Sequence, residues 1–494
     1  MRRLLSIFIV VGWFLILFSH LNFSLAHAQG AIQWSAPERI PNYLDWGMPP
    51  LLLADPSGIV HAINYESPSL AVGEIYYRRW SINRGWEPPV DIILPTLGAG
   101  QATVQGGFIS SAGVLFVIYY DGSEQIGDIF LTRAHVSVAN RAQSWSEPIP
   151  IGTSAGPLVA ATILEDQRGR IILLYGGQQD GIGLYQVISQ DGGETWSIPT
   201  AVEIINEKDR WPHNIRMVLD DQGNIHVTWA VVSEQGLGEE VRYARINPQG
   251  QWTHSIQIAN RTGNEYSTNW PTLISRKNEL ILVYQDSFPA TRWMRISKDY
   301  GDTWSTPIRP FPEIGEYGNA VLLKDSADNI YMILGNRTTD PEIHGMWFSR
   351  WLGNQWSALD SIISGPMTRV FDPSGPQAVM IQGNLILVTW WNNVGRENMT
   401  GVWYSYAYVD APLIPARTFP APTQLPTATP APTSTPAPTL TPTPNPISNT
   451  LSQGGFDTAP EPPVNPSLPV YAGILPVLLV VMVVIGWRLL RSSP

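Results

Sequence analysis

Between about residue 30 and residue 410 the chain alternates short apolar runs with turn residues and never sustains the 3.6-residue apolar period of an amphipathic helix. This pattern predicts an almost entirely β body. Seven times, two apolar strands flank a tight turn that often carries Asp or Gly, at residues 51–65, 108–120, 162–175, 217–229, 272–284, 321–334 and 378–390. A third strand follows each pair, at 75–80, 129–136, 184–189, 241–246, 292–297, 346–351 and 402–409. A tryptophan-led segment then supplies a fourth, beginning at Trp34, Trp86, Trp145, Trp196, Trp252, Trp304 and Trp356, with intervals of 52, 59, 51, 56, 52 and 52 residues.

A repeat of this length, with four strands per copy, predicts the blades of a β-propeller, whose radial closure leaves no long strand edge exposed. The last copy has three strands of its own, and the Trp34 segment precedes every complete copy. The N-terminal strand is therefore expected to close the last of seven blades.

Both ends of the chain lie outside this pattern. Arg2 and Arg3, an apolar run from Leu4 to about Phe18 and the small-residue tripeptide Ala26-His27-Ala28 predict a cleaved signal peptide over residues 1–28. The propeller is then assigned to 29–410. Residues 411–467 are rich in Pro and Thr and form an expected extended, disordered stalk. The apolar stretch 468–487 is long enough to cross a bilayer as one helix, with Arg488 and Arg491 in a short cytoplasmic tail, 488–494. The expected arrangement is an exported, single-pass protein with its propeller outside the cell.

Composition narrows the chemistry. The chain has no cysteine, so disulfides, thiolate metal sites and cysteine nucleophiles are excluded. A net charge of -11 with 14% charged residues argues against nucleic acid, which demands a basic face. The eight histidines are dispersed, without a His-Glu-x-x-His pair, and His61 and His226 occupy one strand position in two repeats, as packing residues would. No metal or cofactor is expected. Gly152-Thr153-Ser154-Ala155-Gly156 matches a nucleophile-elbow string, but no helix follows it as that motif requires.

Two hairpins carry a sharper pattern, in which Ser189, Asp191, Gly193, Thr195 and Trp196 match Ser297, Asp299, Gly301, Thr303 and Trp304 in the order Ser-x-Asp-x-Gly-x-Thr-Trp. This is the Asp-box, and through it the body resembles the sialidase superfamily and other Asp-box (BNR repeat) propellers. The residues themselves suit a structural role, with Asp accepting backbone N–H groups, Gly supplying positive φ and Trp packing between blades. The resemblance implies a position at the outer rim, away from any catalytic centre. It also implies six blades as the alternative count, and an arginine triad, a Tyr–Glu pair and an Asp acid in a central funnel. Arg39-Ile40-Pro41 looks like the family's arginine motif, but lies some ten residues ahead of the first inner strand. The remaining arginines are scattered at Arg210, Arg216, Arg337, Arg369 and Arg396, and assign no triad.

In a propeller the loops leading into each innermost strand share one face with the loops between second and third strands. Here those loops place Trp46, Trp211, His213, Trp270, Tyr317, Arg369 and Asp372 beside Glu66, Asp121 and Asp286. Rings flanked by carboxylates and amides suit sugars, whose C–H faces stack while their hydroxyls take directional hydrogen bonds. The expected function is recognition of extracellular glycans at a cell surface. An active glycoside hydrolase of the exo-sialidase type, using Glu66, Asp121 or Asp286, is the first alternative. A protein-binding scaffold is the second.

Overall fold

A computed structural model describes residues 32–45, 47–69, 72–93, 101–122, 127–154, 161–205, 210–233, 236–261, 268–286, 291–311, 315–337, 342–392 and 400–420. The signal peptide, most of the stalk and the membrane helix expected from the sequence lie outside these residues. No helix among the described residues is long and apolar enough to cross a membrane.

The body is all β and has seven blades of antiparallel strands. Their innermost strands are Leu51–Ala54, Gln101–Ile109, Ala161–Glu165, Arg210–Leu219, Asn269–Arg276, Gly315–Lys324 and Pro373–Ile381. Blades 1 and 2 are also joined by one parallel pairing, Gly73 with Gln101. In blade 5 the fourth strand is a single bridge, Met294 with Ile308. The second strand of each blade is covered on both faces by neighbouring blades, and Ile225–Ser233 is buried along its whole length. Such strands read as unbroken apolar runs, which is why the strand pairs were visible in the sequence.

Glu38–Arg39 pairs with Val402–Tyr408 and completes blade 7 from the opposite end of the chain, as expected. The recurring tryptophans are not in the fourth strands. Each stands four residues before one, as Trp86 does before Val90–Ile93 and Trp196 before Thr200–Ile204. From there the ring reaches back onto the preceding blade. Trp34 meets Phe348 at 5.8 Å, Trp86 meets Tyr404 at 5.7 Å, Trp145 meets Tyr77 at 5.8 Å and Trp304 meets Tyr243 at 5.0 Å, all near edge-to-face. Trp252 donates its indole N–H to Gln186 of blade 3 at 2.9 Å.

The Asp-boxes sit in the turns between third and fourth strands of blades 3 and 5. Asp191 Oδ1 accepts the Thr195 N–H at 2.9 Å and the Ser189 hydroxyl at 2.8 Å, while Ser189 Oγ accepts the Gly193 N–H at 2.8 Å. Asp299, Thr303, Ser297 and Gly301 repeat these bonds at the same distances. Hydrogen bonds from Thr195 and Ser189 hold the Asp191 carboxyl down to about 2. Gly301 has φ +88, and a Cβ there would stand 1.8 Å from Tyr243 Oη of the preceding blade. These turns thus fix hairpins against neighbours. They lie at the opposite end of the blades from the loops that lead into the innermost strands.

The folded body also runs past residue 410. Residues 411–420 cross the turns that join first and second strands, blade after blade. Ser326 of blade 6 donates its hydroxyl to the Pro412 carbonyl, and the Ile414 N–H reaches the Gln382 carbonyl of blade 7 at 2.8 Å. The Arg417 N–H reaches the Pro56 carbonyl of blade 1 at 2.9 Å, and Phe419 packs in the core cluster of blades 1 and 2. This strap spans the seam where the ring closes. A chain ended at Asp410 is expected to melt several degrees below one ended at Pro420, because it loses these bonds and the Phe419 contact. Trp304→Ala is expected to cost about 2–4 kcal/mol in denaturant unfolding, through the cavity it leaves against Tyr243.

Candidate functional site

Opposite the Asp-boxes, the innermost strands are interrupted where they rise toward the loop face. In blade 4 the pairing jumps between His213 and Arg216, in blade 5 between Asn269 and Thr272, and in blade 7 between Ser374 and Gln377. Each bulge sets two residues against one on the second strand, and the first of the two is left-handed: Asn214 at φ +50, Trp270 at +54 and Gly375 at +62. Only Gly375 is free of the steric cost of that conformation. Bulges re-aim side chains, and strained non-glycine residues are held there by their surroundings.

In blades 4 and 5 the two bulges face one another. Asn214 donates its amide to Asn269 Oδ1 at 2.9 Å, and the same oxygen accepts the Trp270 N–H at 2.8 Å. The Trp270 ring, 36% exposed, stands edge-to-face over His213 at 6.1 Å. His213 Nδ1 is buried without a hydrogen-bond partner. Burial, and then the nearby Arg216 charge, pull its imidazole down to about 4, against a hydrogen bond to Asn269 that acts the other way. The arrangement offers an aromatic face, amides and a neutral imidazole in one recess.

Arg216 follows the blade 4 bulge in mid-strand. Equivalent register positions in the other blades are Leu51, Gly106, Thr162, Thr272, Val321 and Gln377, so Arg216 is the one charge in a ring of seven innermost-strand positions. It is solvent-exposed, although Ile215 beside it is buried and Val218, on the same face, packs in the core between blades 4 and 5. The water that an innermost strand can reach at this depth is that of the central channel. Enclosure by protein nonetheless holds the guanidinium below its ordinary pKa. Its hydrogen bond is to the adjacent Ile215 carbonyl at 3.3 Å, and no carboxylate among the described residues pairs with it.

The other expected site residues divide. Glu66 is 1% exposed and is held by Arg78 at 2.5 Å, by the Asn64 amide at 2.8 Å and by the Leu44 N–H at 2.7 Å. Arg78 lies 4.5 Å over the Tyr43 ring, whose hydroxyl burial pushes well up and which donates to the Met48 carbonyl. This Tyr–Glu–Arg group is a buried structural knot, closed to substrate. Asp121 is likewise 1% exposed. Trp211 is core, packed with Ala230 and Val232, because its strand turns the ring inward just before the bulge. Asp286 accepts the Thr268 hydroxyl at 2.8 Å. Asp372 is buried between Arg337, whose Nη2 lies at 2.6 Å, and His344, whose Nδ1 lies at 2.5 Å, tying blade 6 to blade 7. Arg369 is exposed on the loop before it. Tyr317 falls in the irregular stretch of the blade 6 inner strand. Trp46 lies outside the described residues.

His61 and His226 pack as expected. Each bonds a tyrosine through Nδ1, Tyr77 at 2.7 Å and Tyr243 at 2.8 Å, and an aspartate through Nε2. No group of acidic and histidine side chains among the described residues could hold a metal ion. A cavity of about 350 Å³ lies elsewhere, beside Arg276, Lys277 and Lys298 on the Asp-box end of the blades.

Seven blades, two Asp-box turns and tryptophans seated on the preceding blade define a seven-bladed β-propeller of the Asp-box type. Residues 115–339 match the BNR repeat-like domain family. Among solved structures, an ulvan lyase bound to an oligosaccharide of glucuronic acid and sulfated rhamnose is similar with a TM-score of 0.53 at 14% identity, over 74% of this chain and 95% of that one. A second polysaccharide lyase gives 0.50 at 11% identity, over 78% and 94%. The NanB sialidase from Streptococcus pneumoniae gives 0.44 at 11% identity, over 77% and 71%. No curated protein sequence matches the chain.

The low His213 pKa makes an acid-sensitive site. The folded state keeps the ring neutral, so on acidification the unfolded chain takes up the proton first. The stability that depends on the neutral ring is complete above about pH 6.5 and falls as the pH drops toward about 4. His213→Gln is expected to remove on the order of 1–2 kcal/mol of that loss, allowing for partial solvent screening. Denaturant unfolding of both proteins at neutral and at mildly acidic pH measures it.

Proposed function

We propose that this propeller is a glycan-recognition module displayed outside the cell, with its ligand seated on the recess between blades 4 and 5. The observation that carries the reading is Trp270: a large ring left one-third exposed in a left-handed backbone conformation, over a buried imidazole and beside two side-chain amides. An aromatic face flanked by directional polar groups is the usual composition of a sugar subsite. Support of a coarser kind comes from the two polysaccharide lyases of similar fold, which act on carbohydrate polymers.

Display at a surface rests on the expected signal peptide, stalk and membrane helix. The strap is consistent with it. Residues 411–420 leave the propeller from the turns between first and second strands, the end of each blade remote from His213 and Trp270.

The test is a glycan array probed with residues 29–420, side by side with Trp270→Ala. Binding to a defined set of glycans is expected, weakened roughly tenfold by loss of the ring. A folded, cooperatively melting propeller that bound nothing on the array would end the proposal.

A further inference from the structure

Each blade offers the tryptophan of the next an aromatic or aliphatic seat on its third strand, and blade 3 departs from that rule. At one register position, blades 1, 2, 4, 5, 6 and 7 carry Tyr77, Leu131, Tyr243, Met294, Phe348 and Tyr404. Blade 3 carries Gln186 there. Trp252 of blade 4 therefore meets a hydrogen-bond acceptor instead of an apolar seat, and its indole N–H is held by Gln186 Oε1 at 2.9 Å.

Two further departures fall at the same seam. Glu203, in the fourth strand of blade 3, stands where the blades paired at that level carry Ile93, Gly152, Ala259 and Ile363. Three residues after the tryptophan, the other repeats have Pro37, Pro89, Pro148, Pro199 and Pro307, or Leu359, while blade 4 has Ser255. A cavity of about 330 Å³ lies at this seam, walled by Val202, Glu203, Trp229, Trp252, His254 and Ser255. Protein interiors ordinarily close such space, and breaks in a local rule gather at functional sites.

The walls suit a small, neutral, polyhydroxylated ring. Trp229 is 1% exposed and its indole N–H has no hydrogen-bond partner, a donor that is costly to bury unmet. The side chains of exposed His254 and half-buried Ser255 make no hydrogen bond among the described residues. Glu203 is paired with Arg242 of blade 4, so its charge is already met. Ligand sites range over roughly 300–1,000 Å³, and a volume at the low end fits one ring and not a chain.

We propose that the seam between blades 3 and 4 holds a carbohydrate site at the propeller rim, taking one neutral hexose unit. The indoles provide apolar walls for its C–H groups, while Glu203, His254, Ser255 and the Trp229 N–H provide acceptors and donors for its hydroxyls. The site uses other strands than the Trp270 recess and stands whether or not that recess binds sugar.

The experiment is a ligand-observed NMR titration of the full chain carrying Trp270→Ala, which removes the ring of the recess. The probes are the methyl glycosides of glucose, galactose, mannose and N-acetylglucosamine. Saturable binding of at least one is expected, with a dissociation constant on the order of 1 mM. Gln186→Phe, added to this chain, restores the seat for Trp252 and fills the cavity. It is expected to weaken binding roughly tenfold or more while melting at or above the temperature of the chain without it. If that variant does not fold, Ser255→Pro, which restores the residue of five other repeats and removes a hydroxyl, should weaken binding about fivefold. No saturable binding by the Trp270→Ala chain, or unchanged affinity in the added variant that folds, would overturn the proposal. Hexoside binding that persists here while Trp270→Ala leaves glycan-array binding unchanged would instead count against the Trp270 recess alone.

Discussion

The structure depends on one contact made repeatedly, an aromatic side chain four residues ahead of each outermost strand that packs across onto the preceding blade. A blade of four strands buries little by itself, and both faces of its second strand must be covered by neighbours. Trp304 on Tyr243, Trp145 on Tyr77 and Trp86 on Tyr404 do this near the rim, where flat sheets would otherwise splay apart. In a chain without disulfides these contacts and the closure of the ring carry the stability. The last contact in the circle is made by the N-terminal segment, and the strap at 411–420 crosses the same seam. Both ends of the described chain therefore fasten the one joint that local sequence cannot close.

Register changes occur in outer strand pairs too, as between Leu184 and Tyr185, but the left-handed bulges lie in the innermost strands. The bulges at Asn214, Trp270 and Gly375 interrupt the ladder only near the loop face, and beneath them the apolar packing resumes with residues such as Val218. This separation lets blades 4 and 5 hold strained residues without loosening the core. The same region keeps the His213 imidazole neutral, and folding stability falls with pH as a result.

What could be read from the sequence follows the same division. The tryptophan repeat, the apolar strand pairs and the Asp-box glycines each report a local constraint, and from them the blade count and the closing strand follow. The register change in the inner strands leaves a weaker trace. Pro271 and Pro376 stand inside strands, where a proline marks a bulge, and could have indicated where side chains are re-aimed. Trp211 reads like Trp270 in sequence but precedes its bulge instead of lying in it, and so points into the core. Glu66 and Asp121 carry the residue types of catalytic acids. Their burial depends on Arg78 and on neighbouring blades, which spacing alone does not reveal. Arg216 looked like one of several scattered arginines until the register set it among six neutral positions.

The central claim is that the working surface is the recess formed by Trp270, His213 and Asn269 between blades 4 and 5. Its most direct test is a crystal structure of the propeller with an oligosaccharide that it binds on the array. The account predicts a sugar ring stacked on the exposed face of Trp270. A ligand bound at the Asp-box end of the blades, or a Trp270 ring folded over an occluded channel, would contradict it.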